Sequence, residues 1–195
     1  MTIPIPSFLH VDRGSIPADT AQVGERIVES ALPGIIDEAI RRLEQTGLRK
    51  NEAELLDKVR FEVAPLDDSS GVLGYAAGQT VTIDDNAASY GWFVDSTPQD
   101  DAEFGLFSSD APSGSDAYRR VDLLSVVMHE LTHVLEVAFP DREFRFGETG
   151  DEVLRIGQRF GTLANPPVVA ISSDVDAEIS VAEAVFADLT LPLLI

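Results

Sequence analysis

Of the three histidines in this 195-residue chain, two stand four positions apart, His129 and His133, with Glu130 directly after the first. A helix sets residues i and i+4 on one face about one turn apart, so the two imidazoles can hold a single metal ion between them. Glu130 lies one position round the helix, where its carboxylate can act as general base on a metal-activated water. Zinc-assisted hydrolysis is the chemistry this spacing points to. The competing interpretation is a buried helix whose histidines hydrogen-bond to backbone or to acids. From Val121 to Phe139 the segment is apolar nearly all round, which predicts a buried helix, and buried polar groups need partners. A bound cation would satisfy both imidazoles at once.

A catalytic zinc takes three protein ligands and keeps one position open. Asp141 is the first candidate for the third, because it follows Pro140, where the helix must stop, and can fold back toward His133. Glu143, Glu148, Glu152 and His10 stay open as alternatives. Thr149-Gly-Asp-Glu152 also reads as a capping box, which accounts for Glu152 without a metal. Glu178 and Glu183 are more remote candidates on a last helix, where they read first as its solvated face.

The elements that must position these groups are only partly legible. Residues 1–20, rich in Pro, Ser, Asp and Thr, read as an extended lead-in, and 21–195 as one domain. Leu32, Ile35, Ile36, Ala39, Ile40 and Leu43 share one helical face, with Gly47 just past the end. Lys58–Pro65 alternates as a half-buried strand, and Gln79–Asp84 is a second β-rich run. Asp122 is expected as N-cap of the histidine helix. The capping box at Thr149 predicts a helix carrying Val153, Ile156 and Phe160, Asn165–Ile171 reads as a turn then a short apolar run, and a final helix is expected from about Asp174. Between Asp85 and Tyr118 lies a long polar stretch of the kind that is usually functional or ion-stabilised. Its acids, Asp84, Asp85, Asp95, Asp100, Asp101 and Glu103, make calcium a second candidate cation beside zinc, with a solvated acidic loop as the plainer alternative.

Composition bounds the rest. Thirty-four acids against 14 bases leave a net charge of -20, which argues against nucleic acid and anionic membrane surfaces as partners. Without cysteine, neither a disulfide framework nor a thiolate zinc site is available. No stretch has the length of a membrane span, and the first dozen residues lack the basic and apolar regions of a classical secretion signal.

Val121-Asp-Leu-Leu-Ser-Val-Val-Met-His-Glu-Leu-Thr-His-Val-Leu135, with Thr82-Ile-Asp-Asp-Asn-Ala-Ala-Ser-Tyr-Gly-Trp-Phe-Val-Asp-Ser-Thr-Pro98 and Asp101-Ala-Glu-Phe104, resembles the matrixin-like metallopeptidase domains embedded in large bacterial surface and repeat proteins. The similarity runs from the helix at Leu32 to Leu135. It implies an α/β, metzincin-like fold: a twisted mixed sheet with a backing helix, a zinc-binding helix beneath the cleft and a small C-terminal helical part. It further implies a secreted or cell-surface setting, His129 and His133 as zinc ligands, Glu130 as base, and a protein or peptide substrate. Past Leu135 the chain departs from the family. The pattern's glycine three residues after the second histidine is Glu136 here, its third ligand position is Phe139, and no methionine follows His133. A zinc-dependent endopeptidase is therefore the first expectation, and a catalytically inactive matrixin-like binding or structural module the second.

Overall fold

A computed structural model describes residues 8–12, 26–66, 70–105, 108–145, 153–160 and 168–170. Among these residues the architecture is mixed α and β: three α-helices and a five-stranded mixed sheet, with two small two-stranded pairings. Strands β1 (Phe8–Asp12), β2 (Arg60–Ala64), β3 (Val72–Ala77), β4 (Thr80–Asp84) and β8 (Val153–Arg155) form the main sheet in the order β2-β4-β3-β1-β8. β2 runs parallel to β4 and β1 parallel to β8, while β3 is antiparallel to both of its neighbours. β5 (Trp92–Phe93) pairs in parallel with β6 (Val121–Asp122), and β7 (Glu143–Arg145) pairs antiparallel with β9 (Val168–Ala170).

Helices α1 (Leu32–Glu44), α2 (Lys50–Leu56) and α3 (Leu123–Ala138) supply the rest. α1 packs on α3, and α3 in turn packs on β3, β1 and β4. In the larger of two core clusters among the described residues, Leu9, Leu73, Ile83 and Leu154 from the sheet meet Ile35, Ala39 and Leu43 of α1 and Leu124, Met128, Leu131 and Leu135 of α3. α3 is buried on nearly every side because sheet, α1 and α2 surround it, which is why its sequence shows almost no polar face. Among the described residues no helix is long and apolar enough to cross a membrane.

Two expectations change here. Phe8–Asp12, expected within an extended lead-in, is an interior strand, with Leu9 and Val11 buried in the core. Val153, expected to begin the apolar face of a helix, instead starts β8. Leu154 is fully buried between exposed Val153 and Arg155, a period of two rather than 3.6, and Gly157 turns the chain at a φ of +74°. Pairing with β1 decides the outcome, and β1 was not recognised as a partner. The short apolar run before Ile171 is β9, whereas the expected final helix from Asp174 lies outside the described residues.

The Thr82–Pro98 motif proves to be a backbone device. The Asp84 carboxylate accepts N–H bonds from Leu66 at 2.8 Å, Asn86 at 3.2 Å and Ala88 at 2.7 Å, holding Ala87, Ala88 and Ser89 in the left-handed region that non-glycine residues rarely occupy. Trp92 closes the turn by donating its indole N–H to the Asp84 carbonyl at 2.9 Å.

Candidate metal centre

α3 starts as its sequence demands. Asp122 accepts the Ser125 N–H at 3.0 Å as N-cap and also the Ser125 hydroxyl at 2.6 Å, and the helix ends at Ala138, just ahead of Phe139 and Pro140. Within it, the His129 and His133 rings meet edge to face with centroids 4.5 Å apart, and their Nε2 atoms are 2.9 Å apart. Two nitrogens each ~2.0–2.1 Å from a tetrahedral zinc would be separated by roughly 3.3 Å, so a few tenths of an ångström of ring movement admit the ion. His129 is 6% exposed and its Nδ1 has no hydrogen-bond partner among the described residues, while the His133 side chain is 18% exposed. Burial first, and the neighbouring His133 second, push the His129 imidazole down to about 3, so at neutral pH it is an uncharged ligand-type nitrogen. Two Nε2 atoms converging at 2.9 Å on one helix fit a two-histidine cation seat.

Glu130 is fully buried. It lies under β3 where Gly74 leaves space: a Cβ added to Gly74 would stand 3.4 Å from the Glu130 Cγ and 3.1 Å from the Thr82 carbonyl oxygen. Neither this role of Gly74 nor that of Glu136 was read from the sequence. Glu136, noted there only as a departure from a family pattern, sets its Oε2 2.9 Å from the His133 Nδ1. The i, i+3 spacing was the available signal. For Gly74 it was a glycine interrupting an apolar strand.

Among the described residues no third ligand stands with the histidines. Among the described residues no three of His, Asp and Glu form a group able to hold a metal. Asp141, the expected third ligand, sits exposed in the turn after α3 and does not join them. Next to it Arg142 is buried, reaching Glu52 of α2 at 3.2 Å and lying over Phe144 at 5.3 Å, which anchors this turn to α2. His10 belongs to β1, where its Nδ1 is 3.2 Å from the Ser70 carbonyl oxygen. Glu143 falls on β7 opposite Ala170. Glu148, Glu152, Glu178 and Glu183 lie outside the described residues.

Five of the six acids expected to favour calcium are engaged, three of them by arginine, while Glu103 keeps a buried carboxylate oxygen with no hydrogen-bond partner among the described residues. Arg159, fully buried, sets Nη2 2.8 Å from both Asp95 and Asp122, and donates through Nε to the second Asp122 oxygen at 3.1 Å and through Nη1 to Asp101 at 3.2 Å. Its guanidinium lies 4.4 Å from the Phe104 ring centroid. Burial works against the charged form, but Asp122 and Asp95 outweigh it and raise the Arg159 pKa further. Arg42 of α1 shares Asp101 at 2.9 Å, and Asp85 pairs with Arg26. Asp100 accepts the Ala102 N–H at 3.0 Å.

No protein-family model, curated protein or solved structure matches this chain.

Proposed function

We propose that the chain is a zinc-dependent endopeptidase domain, with His129 and His133 as metal ligands and Glu130 as general base. The observation that carries this reading is the convergence of two Nε2 atoms to 2.9 Å on one buried helix face. When bound there, zinc supplies Lewis-acid polarisation of a scissile carbonyl and a nucleophilic water at neutral pH. The residues of the chain do the remainder. His129, kept uncharged by burial, and His133 would offer their Nε2 atoms to the cation. Glu130, adjacent in sequence and shielded by β3, takes the proton of the attacking water and returns it to the leaving amine.

A second reading is favoured by the full burial of Glu130 and by Asp141 lying apart from the histidines: a binding or structural module of the same architecture without turnover. Metal analysis and cleavage of an unstructured protein substrate separate the two. The peptidase reading expects one zinc per chain, lost on His133→Ala. Glu130→Gln should keep the zinc and the fold while lowering turnover by at least about 100-fold, the scale of general-base contributions. Stoichiometric zinc without cleavage by the parent chain would select the second reading, and cleavage by Glu130→Gln at the parent rate would sink the mechanism.

A further inference from the structure

Glu136 stands where it can decide which nitrogen of His133 carries the proton. We propose that Glu136 is a positioning residue for the two-histidine seat, holding His133 in the Nδ1–H tautomer so that its Nε2 lone pair faces His129. The inference rests on the metal reading for its purpose but not for its geometry. A carboxylate only accepts hydrogen bonds, so the 2.9 Å contact between Glu136 Oε2 and His133 Nδ1 requires the proton on that nitrogen. In a neutral ring the His133 Nε2 is then an acceptor. The 2.9 Å contact between the two Nε2 atoms in turn requires His129 to donate through its own Nε2, which leaves the His129 Nδ1 as a bare acceptor. That nitrogen is the buried one with no partner, and a buried acceptor without a donor is tolerated better than a buried N–H without an acceptor. In the metal-free chain one set of protons satisfies both contacts: Glu136 carboxylate, His133 Nδ1–H, His133 Nε2, His129 Nε2–H; a cation taken up between the Nε2 atoms would displace the His129 proton to Nδ1. Carboxylates that receive the outer N–H of a ligating histidine fix its tautomer and ring orientation and raise its basicity.

Three histidines make the protonation states readable by long-range proton–nitrogen NMR on the full chain freed of metal by a chelator. At about pH 8, above the ordinary imidazole range, His133 should show a protonated Nδ1 and a bare Nε2. Glu136→Ala should move His133 substantially to the Nε2–H form, while Glu136→Gln, whose amide oxygen still accepts, should largely retain the Nδ1–H form. The Glu136 side chain is 40% exposed, so neither change opens a buried void. Zinc affinity, measured by competition with a chromophoric chelator, should fall about 10- to 100-fold in Glu136→Ala and less in Glu136→Gln. An unchanged His133 tautomer in Glu136→Ala, or protons on both His133 nitrogens in the parent chain, overturns the proposal. If the tautomer responds as expected while the parent chain binds no zinc, the positioning role stands and the metal reading falls.

Discussion

Gly74 of β3 faces Glu130 of α3, and the absence of one side chain makes room for the other. A methyl group at position 74 would press on the Thr82 carbonyl at 3.1 Å and the Ile83 side chain at 3.3 Å, both held in the sheet, and on the Glu130 Cγ at 3.4 Å. The carboxylate is the part that can yield. Gly74→Ala should therefore destabilise the domain by about 1–3 kcal/mol, the usual cost of overpacking. It should also reduce peptide cleavage more than zinc stoichiometry, because the histidines do not touch the added methyl. Chemical unfolding, metal analysis and turnover on one preparation check this, and cleavage at the parent rate would show that Glu130 need not hold its place. At this scale His129, Glu130 and His133 were legible because their spacing alone implies shared geometry. Gly74 was not, because its importance exists only once β3 lies across α3.

At the scale of elements, the long acidic segment between β4 and β6 is ordered by arginines from elsewhere in the chain. Arg159 follows β8 and joins Asp95, Asp101 and the N-cap residue Asp122, while Arg42 reaches the same Asp101 from α1. Phe160 continues the link by donating its backbone N–H to the Ser125 hydroxyl at 2.7 Å. Removing one partner of a buried ion cluster leaves uncompensated charge, at a cost of about 3–5 kcal/mol. Arg159→Met should lower the free energy of unfolding by about that amount. Arg159→Lys should recover only part of it, since an ammonium cannot serve both Asp122 oxygens in a fixed fork. Urea denaturation measures both, and a Met variant as stable as the parent would mean that the aspartates relax into water. The sequence showed the acids but not their partners: attraction between charges so distant along the chain leaves no local pattern. The helix expected at Val153 failed for a related reason, since three residues of β8 become a strand only beside β1.

For the molecule as a whole, 34 acids and 14 bases make carboxylate titration a main lever on stability. Glu38 shows the sign. Burial draws its carboxyl upward, but hydrogen bonds from Arg41 and Arg42 outweigh this, and the net effect is a pKa below the usual 4.5. A depressed folded-state pKa means the contribution is present above the unfolded value and is lost as pH falls through the folded one. The parent chain should therefore lose stability more steeply than Glu38→Gln as pH falls from roughly 5 to 3, by up to ~1.4 kcal/mol per pH unit for one proton. Denaturation midpoints across that range test it, and parallel curves would remove Glu38 from the account. α1 and β2 were legible because each carries its own periodicity, β4 because it is a run of β-branched residues, and α3 because a long apolar run lies between Asp122 and Pro140. β1 was not, because five residues in a Pro- and Ser-rich setting give too short a signal.

That strand has a consequence in time. β1 is held between β3 and β8, with His10 opposite Val72 on one side and Val153 on the other. A chain emerging from the ribosome releases β1 first, yet its second neighbour is synthesised only after α3 is complete. Until then β1 either waits unpaired or, docked on β3, leaves its β8 side as an open sheet edge, the condition that slows folding and invites pairing with other chains. The domain should thus acquire protease resistance in a late, single step of synthesis, after Arg155 has cleared the exit tunnel, rather than element by element.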